Sequence, residues 1–426
     1  MRMKKYLSIF VMGALLCFAC GCSSPGGTVS GTARGQSAAE EASAGQTDAE
    51  GPSSGQTDAE GVSSERTAAE QAGFQEERLN NLKFDHSMEL LYADQFSVDY
   101  YEGGFILISI RNSGRFLVVP EYCEPPAALP DDVTVLRQPL ENIYLAATSA
   151  MDLFRSLDAV DRITLSALDV SGWYIGEARE ALEEGRMFYA GKYRTPDYEL
   201  ILSKSCGLAV ESTMINHSPE VKEQLEKLGI PVLVERSSYE SHPLGRMEWM
   251  KLYGALLGKE ELAEARFDEQ MEHLAGVLEQ KNTGKTVAFF YISSNGYVNV
   301  RKPGDYVARM IDMAGGTYVP QNIKTDQNAL STMNMQMEAF YAAAKEADYI
   351  IYNSAIDGEI KSVDELLAKS GLLADFKAVK EGHVWCTEKN MFQETTGLGD
   401  MIVDIHTILT EDSPEPDKMT YIYRLK

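Results

Sequence analysis

The densest run of side chains able to do chemistry is Glu235-Arg236-Ser237-Ser238-Tyr239-Glu240-Ser241-His242, which ends at Pro243. Hydroxyls, carboxylates and one imidazole in this order can donate and accept hydrogen bonds or lend a nitrogen to a metal. They do not spell out a nucleophile with its base. The chain contains no His-Glu-x-x-His, no Gly-x-Ser-x-Gly and no phosphate-cradling glycine loop, so metalloprotease, hydrolase and nucleotide-dependent readings lack their chemistry, and no enzymatic activity is expected. The six histidines, His86, His217, His242, His273, His383 and His406, show no close pairing, whereas a bare metal ion wants several imidazoles at successive strand ends. His242 alone lies in the polar run, where it could ligate the metal of a bound chelate, accept a hydrogen bond, or cap the helix beside Pro243.

Two lobes of about 150 residues, with tails, fit the chain length of 426. With 64 acidic and 39 basic side chains the net charge is -25, which offers a nucleic-acid backbone no basic face. Of the six cysteines, Cys123, Cys206 and Cys386 are odd in number and widely spaced, which argues against a disulfide framework. The other three crowd the N-terminus. There Arg2, Lys4 and Lys5 precede an apolar stretch at 6–18 that is too short to span a bilayer comfortably, so residues 1–22 read as an export signal.

The segment Ala19-Cys20-Gly21-Cys22-Ser23-Ser24 resembles the lipobox of bacterial lipoproteins, with Cys22 as the lipid acceptor and Cys20 as the fallback. The Cys17-Cys20 spacing of a redox pair lies inside the discarded peptide. Residues 23–80 read as a flexible tether: from 23 to about 73 they are rich in Gly, Ser, Ala, Thr, Glu and Gln, partly repeat at 45–51 and 55–61, and carry almost no apolar residue to bury. This places the protein at the cell surface, lipid-anchored to the outer face of the cytoplasmic membrane. A surface adhesin would suit the same tether.

The elements that must position the polar run follow an α/β pattern. A hairpin is expected at 105–120 around Asn112-Ser113-Gly114, after which strands at 142–147, 162–165, 207–211 and 230–234 alternate with helices, giving a parallel sheet. In such sheets ligands bind beyond the C-terminal strand ends. Those ends carry Thr148 and Ser149, Trp173 and Tyr174, Glu211, Ser212 and Thr213, and then Tyr239, Glu240 and His242. Hydroxyls there serve equally well as helix caps. A helical crossover, 244–282, is interrupted at Gly258; its apolar residues Phe267, Met271, Leu274 and Leu278 are core. A first lobe at 81–243 and a second at 283–426 flank it, and the second repeats the strand-end logic with Asn295, Arg301, Asn353 and Gln393. The last strand is expected at 384–386.

The order of these motifs, with Tyr198 to Val210 and Leu228-Gly229-Ile230-Pro231-Val232-Leu233-Val234, resembles over residues 95–410 the substrate-binding proteins of ABC importers for siderophores, haem and cobalamin. The resemblance implies two Rossmann-like α/β lobes joined by a single long helical crossover, the class III periplasmic-binding-protein architecture. It also implies a monomer with little lobe movement and no cofactor of its own. Its ligand would be a metal chelate (siderophore, haem or corrinoid), and it would dock onto an FecCD-type permease with its ATPase. Glu199 matches the family's docking glutamate on the first lobe. On the second lobe that position should follow Gly315-Gly316, where this chain has Thr317-Tyr318.

Overall fold

The computed structural model describes residues 79, 81–321, 323, 332–411, 414–415 and 418–426. Cys20, Cys22, the leader and nearly all of the tether lie outside the described residues. The first unit is a sheet of β1 (Phe84–Ser87), β2 (Phe96–Tyr101), β3 (Phe105–Ile110), β4 (Gly114–Val119) and β5 (Val133–Arg137), bonded in that order. The expected hairpin joins β3 to β4, with Ile110 opposite Gly114 and Asn112 at φ 55. It is the middle of five strands, not a free-standing ribbon. Alternation along it splits its apolar residues between two cores. Ile106, Ile108, Ile110, Phe116 and Val118 join the main core, while Leu107, Leu117 and Val119 close a small cluster with Leu79 and Tyr101.

The first lobe is an all-parallel sheet of β6 (Ile143–Leu145), β7 (Ile163–Ser166), β8 (Phe188–Tyr189), β9 (Leu208–Ser212) and β10 (Val232–Glu235), in the order β10-β9-β6-β7-β8. Helix α1 (Ala150–Ser156) follows β6 directly, as the short polar turn at 148–149 requires. Both faces of β6 and β9 are buried, which is why they read as continuous apolar runs.

The crossover is two helices. Helix α2 (Pro243–Leu257) starts on a proline whose missing N–H costs nothing at a helix N-terminus and ends at Gly258, which adopts φ 68 and turns the chain into α3 (Glu260–Leu278). Nearly all of α2 is buried, with Trp249, Met250, Leu252 and Tyr253 in the main core. On α3, Phe267 and Leu274 are buried as the spacing predicts, Met271 packs at the margin, and Leu278 is exposed.

The second lobe includes β11 (Thr286–Ile292), β12 (Val298–Arg301), α4 (Tyr306–Met313), β13 (Thr317–Val319), β14 (Thr332–Met335), β15 (Tyr349–Tyr352), β16 (Val384–Thr387), α5 (Leu398–Thr410) and β17 (Ile422–Arg424), with further helices between β14 and β16. Its sheet runs β14-β12-β11-β15-β16-β17, with β13 also on β11. Contrary to the sequence expectation, β16 is not the last strand: β17 pairs antiparallel with it from the C-terminus.

Candidate ligand-binding cleft

Between the lobes lies a cleft that opens to solvent and holds a cavity of about 90 Å³. The first lobe contributes its C-terminal strand ends: Thr148 and Ser149 after β6, Ser212 at the end of β9 with Thr213 and Met214 following, and Glu235, Ser237 and Ser238 at β10. From the second lobe come Tyr306, which opens α4, and Met391, Phe392 and Thr395 before α5. Arg246 of α2 spans the two. Its guanidinium donates to the carbonyls of Ser238 (2.5 Å) and Glu240 (3.2 Å) and lies 3.5 Å from the Tyr306 ring centroid. A planar cation against an aromatic face keeps its remaining N–H groups in plane for an acceptor.

A second guanidinium, Arg301, is buried behind the same ring at 5.7 Å and faces Asp305 at 3.5 Å. Glu235 is buried and accepts from the Ser237 amide at 2.8 Å; burial raises its carboxyl above the usual carboxylate range. The cleft thus presents one partly exposed cation, hydroxyls and amides on one side, and Met214, Met391 and Phe392 as apolar walls.

Ser149 and Ser212 line the cleft; Ser212 also accepts from the Met214 amide at a helix start, whereas Ser149 stands at the N-cap of α1 without a side-chain capping bond. Several other residues are displaced from the cleft lining. Trp173 is a core residue whose indole N–H donates to Ser166. Tyr174 is more than a third exposed, and its amide donates to Gln393. Tyr239 lies under the Arg236 guanidinium, at 4.1 Å. Glu240 turns its carboxylate to the backbone of residues 94–95 and to the Trp249 indole.

His242 is the N-cap of α2: its Nδ1 accepts from the Leu244 amide and its ring stacks on Tyr92. Burial holds that imidazole at about 4, so it is neutral at physiological pH. Asn295 lies on the exposed tip between β11 and β12, and Asn353 is buried beside Thr387. Arg301 stands behind Tyr306 as described. Gln393 is buried as a tie between lobes, accepting from the Tyr174 amide and donating to the Gly172 carbonyl.

That tie belongs to a seam along one border of the cleft. Asp152 of α1 accepts from the amide and hydroxyl of Thr396, and the Thr395 hydroxyl donates to the Ser149 carbonyl. Arg155 bridges Asp152 and approaches Glu394, which accepts from the Tyr421 hydroxyl.

Sequence reasoning did not single out Arg246, Tyr306 or Tyr193, which also lines the cleft. Only Arg246 carried a signal, as the cation that closes the polar, turn-rich segment 235–246. Among the described residues there is no group of three potential metal-binding side chains and no helix long and apolar enough to cross a membrane.

Two α/β lobes, a helical crossover and a polar cleft at their facing strand ends define a two-lobed ligand-binding protein. The chain belongs to the periplasmic binding protein family, whose model matches residues 163–390, more than half of its length; it is a substrate-binding protein of the ABC-importer type and not an enzyme. An uncharacterized lipoprotein of Methanocaldococcus jannaschii is 25% identical over 355 residues, covering 77% of this chain and 81% of the relative. A second uncharacterized lipoprotein of that organism is 22% identical over 351 residues, covering 79% and 86%. Among solved structures, the periplasmic haem-binding protein HutB of Vibrio cholerae shares the fold with a TM-score of 0.51 at 15% identity, over 64% of this chain and 99% of that one. The petrobactin-binding protein YclQ of Bacillus subtilis does so at 0.51 and 14%, over 65% and 94%.

Proposed function

We propose that the protein captures a metal chelate (an iron-siderophore, haem or a corrinoid) at the cell surface and delivers it to an ABC importer permease with its ATPase. The observation that carries this reading is the Arg246 guanidinium laid on Tyr306 opposite Met391 and Phe392. A cation with free donors, an aromatic face and apolar walls suit a large, partly apolar ligand bearing acidic groups. Relatives that bind haem or petrobactin support the cargo class, and relatives named lipoproteins support a lipid anchor, for which Cys22 is the acceptor.

All three cargo types are coloured. After incubation with each, an absorbance spectrum and a native mass should show one of them retained, and Arg246→Ala should weaken that binding by roughly tenfold or more. Retention of none would defeat the reading.

Docking to the permease is assigned to Glu199, exposed on the helix Tyr198–Ser203. In the second lobe the matching place holds Thr317 and the buried Tyr318, whose hydroxyl donates to the Arg301 carbonyl. Glu199→Lys should abolish uptake in cells while leaving cargo affinity of the purified protein unchanged; uptake at the parent rate would remove Glu199 from the docking surface.

A further inference from the structure

The unit β1–β5 lies outside the family match at 163–390, yet two carboxylates tie it to α2 and to the turn before α2. Residues 91–95, between β1 and β2, form a strap across the start of α2. Glu248 accepts the amides of Leu91 (2.9 Å), Tyr92 (2.8 Å) and Ala93 (2.8 Å). Glu240 takes the next two, Asp94 (3.0 Å) and Gln95 (3.0 Å), together with the Trp249 indole N–H at 2.9 Å. Five successive backbone donors are thus held by two buried carboxylates. Gly245 permits the contact, since a Cβ there would lie 2.9 Å from the Tyr92 carbonyl oxygen.

The two carboxylates differ in what else they hold. Glu248 sits a turn along α2 and its other partner is Lys251, away from the cleft lining. Glu240 closes the turn that carries Ser237 and Ser238 into the cleft, its amide donating to the Ser237 carbonyl and its own carbonyl accepting from Arg246. A side chain fixed from behind and a main chain bonded in front make Glu240 the joint between the appended sheet and the cleft wall.

We propose that the β1–β5 unit is part of the binding apparatus, with Glu240 as a positioning residue that holds the Ser237–Ser238 wall and the Arg246 guanidinium in register for cargo. The inference rests on the ligand-binding reading of this cleft. An amide in place of either carboxylate keeps the shape but turns an acceptor into a donor facing N–H groups. Glu240→Gln and Glu248→Gln should therefore both melt below the parent.

Only the first should loosen the cleft. Backbone amide exchange over residues 236–246 in the cargo-free protein should rise at least about tenfold in Glu240→Gln and stay near the parent in Glu248→Gln. Affinity, read with haem, cyanocobalamin and ferrioxamine B as probes, should fall by roughly tenfold in Glu240→Gln and by less than about twofold in Glu248→Gln. Equal affinity losses in the two variants, or unchanged exchange in Glu240→Gln, would overturn the proposal. If Glu240→Gln fails to fold, Trp249→Phe, which removes one of the donors to Glu240, takes its place under the same criteria. Should none of the probes bind the parent, the cargo reading fails, and the exchange comparison still decides the role of Glu240.

Discussion

Glu211 is fully buried on β9, and neither carboxylate oxygen finds a hydrogen-bond partner among the described residues. Burial pushes its carboxyl up to about 8. Because the folded value lies above the unfolded one, the native state keeps the proton over a range where the unfolded chain has lost it. Stability is then greatest below about 4.5 and is lost as pH rises through about 8. Glu211→Gln should abolish that part of the pH dependence: its melting temperature should exceed the parent's at pH 9 and approach it at pH 5, as followed by circular dichroism. The position was legible in sequence as a strand end, but its isolation was not, because the absence of a partner depends on what β6 and the helix at 198–203 bring alongside. The same limit applies across the site. Ser149 and Ser212 were found because strand ends are local features. Tyr306 and Arg246 become neighbours only when the crossover brings the lobes together.

At the scale of elements, the break in the crossover is a local signal with a local cause. Gly258 occupies the left-handed region, where a Cβ meets the following backbone, and its nearest non-neighbour atom, the Gln138 side-chain nitrogen, stands clear at 3.6 Å. Gly258→Ala should thus cost about 1–2 kcal/mol through backbone strain alone, measured by denaturant unfolding, without altering cargo affinity. Gly258 and the βα units were readable because each rests on short-range rules. The partners of the hairpin were not: β2 alternates Ser97 and Asp99 with apolar residues, and β5 carries Thr134 and Arg137, so neither stands out as a buried run. The strand β17 was missed for a related reason, since three residues near a terminus acquire their identity only by pairing with β16.

For the whole molecule, the seam of Asp152, Gln393, Thr395 and Thr396 joins the lobes at a line separate from the crossover. Replacing Gln393 and Thr396 with Ala and Val removes side-chain bonds from that line and leaves α2 and α3 intact. Paired spin labels placed on the two lobes should show a distance distribution broader than the parent's; an unchanged distribution would mean that the crossover alone fixes the lobes. A body fastened along one line can swing, and one fastened along two separated lines is a frame. In a frame the cavity stays open without cargo, so capture needs no closing motion and arrival can be limited by diffusion alone. Release carries the opposite requirement: a tightly held cargo leaves only when some outside force racks the frame. On the proposed function, the mechanical work of release would then be done on this protein by a permease.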